Sequence, residues 1–146
     1  MLSALNEAQV EYLVVGAYAM ASHGCPRATG DIDFWVRPTK ANAARVLSAL
    51  IAFGAPTSQI SMDDFTTADI VFQIGVPPQR IDILTTISGV DFAQAWKGRL
   101  VADVDGLQAT VIGWRELRQN KIASARPKDL LDVQILDAHS DDQKRL

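Results

Sequence analysis

Hydrophobic and polar positions change period several times along the chain, and each change marks an element. Tyr12–Val15 is an unbroken apolar run, as expected of a strand covered on both faces. A short helix over Leu2 to Gln9 is expected before it, and a helix over Tyr18 to His23 after the small pair Gly16-Ala17. Gly24 to Gly30, with Pro26, Thr29 and two glycines, reads as a loop. From Asp31 to Val36 the period is two, placing Ile32, Phe34 and Val36 on a buried face and Asp31, Asp33 and Trp35 on the other. Pro38 and Thr39 open a long helix, with Thr39 as N-cap and Ala43, Val46, Leu47, Leu50 and Ile51 as its sheet-facing positions.

Beyond a mixed connection from Gly54 to Met62, alternation returns in Asp69 to Ile74 and in Arg80 to Leu84, joined by Gly75-Val76-Pro77-Pro78. An antiparallel pair is predicted, with Arg80, Asp82 and Leu84 on one face and Ile81 and Ile83 on the other. Val90 to Trp96 reads as a short amphipathic helix. Arg99 to Val104 and Leu107 to Ile112 flank Asp105-Gly106, a strong two-residue hairpin signal. The remainder is helical in pattern: Trp114 to Ala125, then Pro127 to Ala138 with Pro127 in a first turn, followed by a polar tail over 140–146 expected to fray. The expected class is α+β, a mixed sheet flanked by helices in a single domain, with an α/β core over 1–112 and a helical part over 113–139.

Composition narrows the function classes. Of 146 residues, 48% are hydrophobic and 21% charged, and the net charge of −3 argues against a general nucleic-acid coat, which needs many cationic contacts to phosphate. Cys25 is the one cysteine, so an internal disulfide and a multi-cysteine zinc site are excluded and a reducing compartment is favoured. With no apolar run near the ~20 residues that span a bilayer, a cytoplasmic protein with no membrane partner is expected. The short C-terminal helices could leave an apolar face that a second copy covers.

Asp31 and Asp33, two apart on a strand, project the same way about 6–7 Å apart along the chain. Asp82 sits inside a second apolar strand. Three carboxylates crowded together repel one another, so a divalent cation is their natural stabiliser, and magnesium, with manganese as a substitute, suits all-oxygen ligands. Asp69 is a rival third acid. Gly16 and Ala17 either bring helix-start N–H groups close to an anion or only allow tight strand-to-helix packing.

Gly16-Ala17, the spacer, Asp31-Ile32-Asp33 and Asp82 within RIDIL together resemble the nucleotidyltransferase superfamily that includes DNA polymerase beta. GAYAMASHGCPRATGDIDFWV, and NKIASARPKDLLDVQIL near the end, are similar to small bacterial proteins of the AbiEii-like group, among which are toxins of toxin–antitoxin pairs. The resemblance covers most of the chain. It implies a polymerase beta-like fold with C-terminal helices and magnesium-dependent transfer of a nucleoside monophosphate from a triphosphate to RNA, protein or a small molecule, with an antitoxin protein as partner. By resemblance Asp31, Asp33 and Asp82 are catalytic and hold metal, Gly16 and Ala17 seat the triphosphate, Lys121 contacts phosphate, and Asp129 or Asp132 orients Lys121. The sequence departs at Ala17, where the family has Gly or Ser; the missing hydroxyl is worth about 0.5–1.5 kcal/mol.

Several of these residues have plainer alternatives. Arg27 reaches a phosphate or forms an ion pair with Asp31 or Asp33, and Lys121 belongs to the site or to a solvated helix face. His23 is expected to cap or pack, Cys25 to fill a loop or core position, and Trp35 to pack unless it borders the nucleotide. An inactive, binding-only relative and a magnesium phosphohydrolase are the competing functional expectations.

Overall fold

The computed structural model describes residues 1–144. Its strands are β1 (Tyr12–Val15), β2 (Ile32–Val36), β3 (Val71–Ile74), β4 (Ile81–Leu84), β5 (Leu100–Val104) and β6 (Leu107–Val111). Its helices are α1 (Leu2–Glu7), α2 (Gly16–Ser22), α3 (Lys40–Phe53), α4 (Phe92–Lys97), α5 (Trp114–Ser124) and α6 (Pro127–Lys144), with a 3-10 turn over Met62–Thr66. The six strands form one open mixed sheet in the order β3-β4-β2-β1-β6-β5. This is the α+β class the pattern predicts.

All four residues of β1 are buried, as an apolar run near the middle of a doubly covered sheet requires. Next to it β2 runs antiparallel, with Val15 opposite Asp33 and Val14 opposite Phe34. Phe34 is fully buried and meets Tyr12 edge to face, while the Tyr12 hydroxyl donates to Asn6 at the end of α1. That side of the sheet is the core against the first helix.

Strand β4 lies parallel to β2 on its other side and pairs antiparallel with β3, so the predicted β3–β4 pair is present. The hairpin at Asp105-Gly106 is also present, both turn residues having positive φ and Val104 facing Leu107. Thr39 caps α3 by accepting from the Asn42 N–H. Asn42, buried, also accepts from Glu11 N–H and donates to the carbonyls of Glu11 and Arg37, tying α3 to the end of the β1–β2 pair where β1 starts and β2 stops.

Two expectations need correction and a third holds. Ile51 is 61% exposed rather than packed on the sheet, because α3 buries the stripe of Ala43, Val46, Ala49 and Leu50, and Ile51 falls past its edge. Trp35 packs, as expected: it is buried, meets Phe92 edge to face and donates its indole N–H to the Thr85 carbonyl. The expected frayed tail is instead the end of α6, helical to Lys144, and the rest of that expectation, 145–146, lies outside the described residues. No helix among the described residues is long and apolar enough to cross a membrane.

Candidate active site

The end of the sheet where β1 stops and β2 begins opens into a cleft of about 850 Å³. Gly16, Ala17, Arg27, Asp31, Asp33, Asp82 and Lys121, every residue the sequence assigns to the site, line it. The parallel register of β2 and β4 places Asp33 directly opposite Asp82, so alternation sends both side chains to the same face. Asp31, one residue before β2, stands at the mouth, its backbone N–H taken by the Thr29 hydroxyl.

Gly16 closes the floor. It has φ of 70° at the start of α2, and a β-carbon there would run into the Asp33 carboxylate. Glycine is therefore required twice, by the left-handed backbone and by the acid packed against it. The N-cap of α2 is Val15, which supplies no side-chain cap, so the first N–H groups of the helix are left for other acceptors.

Electrostatics confirm the crowding. Burial, the charge and hydrogen bond of Asp82, and the charge of Asp31 together push Asp33 up from 3.8 to about 6, and Arg80 offsets only part of that rise. Asp82 itself is buried and held by Arg80 in a forked pair, Nε to Oδ1 at 2.9 Å and Nη2 to Oδ2 at 3.1 Å. Arg80 also stands 3.8 Å from Asp31 Oδ2, and its backbone N–H donates to Asp31 Oδ1 at 3.1 Å. The guanidinium supplies the positive charge that the acids require.

The sequence reading missed Arg80 as a site residue, although period-two alternation already set it on the face of Asp82. Because the arginine engages Asp31 and Asp82, no three acid, histidine or cysteine side chains among the described residues stand ready as a metal cage. By its chemistry the donor set nevertheless suits magnesium or manganese: three carboxylates line one cleft, with Asp33 and Asp82 in register on adjacent strands. Asp69, the rival acid, also lines the cleft, exposed and outside β3.

A basic wall completes the lining: Lys121 and Ser124 of α5, Arg126 in the turn, Lys128 of α6 and Arg27 from the loop before β2. Beneath them lies a buried ion network. Lys121, only 6% exposed, has its Nζ 2.9 Å from Asp132 and 3.4 Å from Asp129, and both acids are essentially inaccessible. Arg126 pairs with Asp129 at 2.6 Å, and Arg27 pairs with Asp132 at 2.6 Å. Burial alone would raise Asp129, but the hydrogen bond from Arg126 and the charge of Lys121 outweigh it and hold the carboxyl below its ordinary range.

Lys121 is part of a buried network, not a solvated helix face, and both Asp129 and Asp132 orient it. Arg27 does form a structural ion pair, but with Asp132 in α6 rather than with Asp31 or Asp33, because α6 brings a buried carboxylate closer to the loop. His23 packs, its Nε2 lying 2.8 Å from the Ile112 carbonyl, and Cys25 is a buried free thiol.

No protein-family model matches this chain, and no curated protein matches it.

Proposed function

We propose that the chain is a divalent-cation-dependent nucleotidyltransferase that moves a nucleoside monophosphate from a nucleoside triphosphate to an acceptor hydroxyl or amine on RNA, protein or a small molecule. One observation carries the reading: Asp33 and Asp82 face each other in register on parallel strands beside the Gly16 turn, with a basic wall lining the same cleft. A metal-bound triphosphate needs both.

Asp31 and Asp33 would hold magnesium, with Asp82 as the third ligand. When bound, that ion supplies charge to polarise the α-phosphate and to stabilise the departing pyrophosphate. N–H groups at the start of α2, at Gly16 and Ala17, seat the phosphate chain, and Arg126 and Lys128 draw its negative end toward the helices. Asp82 takes the proton of the acceptor hydroxyl as a new O–P bond forms, and the bond between the α-phosphorus and its bridging oxygen breaks with release of pyrophosphate. The Ala17 side chain contributes no hydroxyl to this seat, so backbone donors carry it.

The test is incubation with magnesium, a triphosphate labelled at the α-phosphate, and candidate acceptors. Label transfer with stoichiometric pyrophosphate, lost in Asp33→Asn, is the expected result. Full transfer by Asp33→Asn would remove the proposed site.

A second reading keeps the fold without the chemistry, as a binding partner of another protein such as an antitoxin. The forked Arg80–Asp82 pair favours it, since a satisfied carboxylate is a poor ligand. Tight, magnesium-independent association with a protein partner, together with no triphosphate binding, would select this reading.

A further inference from the structure

Arg80 is the cation on the acid wall. It approaches Asp82 with two hydrogen bonds and Asp31 with a third contact through its side chain and a fourth through its backbone, while its side chain stays 29% exposed to the cleft. Asp33 lies in register beside Asp82 on the neighbouring strand. The arrangement places a guanidinium where charge compensation is most needed, yet leaves it on a strand that lines the same cleft as the basic wall. A planar fork that fits a carboxylate fits a phosphate equally well.

We propose that Arg80 holds the place of the divalent cation in the metal-free protein and, when the cation binds, passes from Asp82 to a phosphate of the nucleotide. This rests on the nucleotidyltransferase reading of the acids and adds a coupling to it. A lone cation must displace the guanidinium from Asp82 and leave it without an anion. A cation arriving with a triphosphate offers Arg80 a second anion, so cation and nucleotide bind cooperatively and each alone binds weakly. The empty acid cluster is thereby protected from collecting stray cations, and the carboxylates are kept from repelling one another.

The experiment is titration of the metal-stripped full chain with manganese, followed by the electron paramagnetic resonance of the free ion, with and without an ATP analogue carrying a methylene bridge between its α- and β-phosphates. In the wild type the analogue should tighten manganese binding at least tenfold. Arg80→Gln should bind manganese alone at least tenfold more tightly than wild type, because the competing charge is gone. With saturating manganese it should bind the analogue at least fivefold more weakly, because the phosphate contact is gone.

Arg80→Lys keeps the charge without the fork, so it should bind manganese at least threefold more tightly than wild type. It carries the test if Arg80→Gln does not fold, as judged by circular dichroism. Asp33→Asn separates the two levels of the argument. If Asp33→Asn loses manganese while the Arg80 variants bind it no better than wild type, the metal site stands and the exchange is overturned. If Asp33→Asn binds manganese as wild type does, the acid-site reading fails and the exchange falls with it.

Discussion

Replacing Asp33 by Asn should make the metal-free protein more stable, not less. Asp33 has its carboxyl raised from 3.8 to about 6 by burial and by Asp82 and Asp31. A carboxyl raised on folding binds its proton more tightly in the native state, so its contribution is present at low pH and is lost as pH rises from about 4 through about 6. At about 1.36 kcal/mol for each pKa unit, ionising Asp33 in the folded protein costs at most about 3 kcal/mol above pH 7, with roughly half of that already felt at pH 5. Asparagine carries no charge, and its amide can donate to Asp82 where the shared proton did.

Asp33→Asn should therefore melt above wild type at pH 7.5 in EDTA, by about 6–9 °C at roughly 3 °C per kcal/mol for a chain of this length. The gap should shrink at pH 5. Magnesium should close most of the gap, since a ligand at 100 times its Kd stabilises the wild type by about 2.7 kcal/mol and finds no complete site in the variant. Thermal unfolding followed by circular dichroism across pH 5 to 8, with and without magnesium, reads all of this. A variant less stable than wild type at pH 7.5 in EDTA, or a gap independent of pH, would refute the claim that repulsion among these acids is stored in the fold.

Other consequences can be checked separately. Manganese affinity should fall by up to about tenfold per pH unit below about 6, as Asp33 takes up the proton that the metal must displace, and a pH-independent affinity would contradict this. Gly16→Ala should cost about 1–3 kcal/mol in urea unfolding and lower nucleotide affinity, because its β-carbon meets Asp33 at a backbone conformation few other residues adopt. Asp132→Ala leaves Lys121 and Arg27 without a shared partner in the interior and should cost about 3–5 kcal/mol, while a loss below 1 kcal/mol would mean that α6 is not fastened this way.

Sequence pattern reached further at the acids than at the helices. Short-range periodicity placed Asp31 and Asp33, and the apolar flanks of Asp82 identified a strand that does lie beside them. What it could not supply was the pairing of Arg27 with Asp132, 105 positions apart, since only the packing of α6 brings them together. Arg80 was visible as a neighbour of Asp82 by alternation, but whether such an arginine turns toward the acid or toward solvent depends on the carboxylate crowd around it. Ile51 failed for a related reason: helical spacing defines a stripe but not its width, and α3 buries only the narrower one. The tail beyond Ala138 was read by its polarity, and polar residues such as Gln and Lys continue a helix as readily as they end one.

The central claim is that the acid wall and the basic wall hold one metal-bound triphosphate between them. Calorimetric titration of the wild-type chain with a non-hydrolysable triphosphate, in magnesium and then in EDTA, puts it to the most direct trial. Binding that appears with magnesium and vanishes in EDTA is the predicted result. Triphosphate binding of equal strength in both, or in neither, would contradict it.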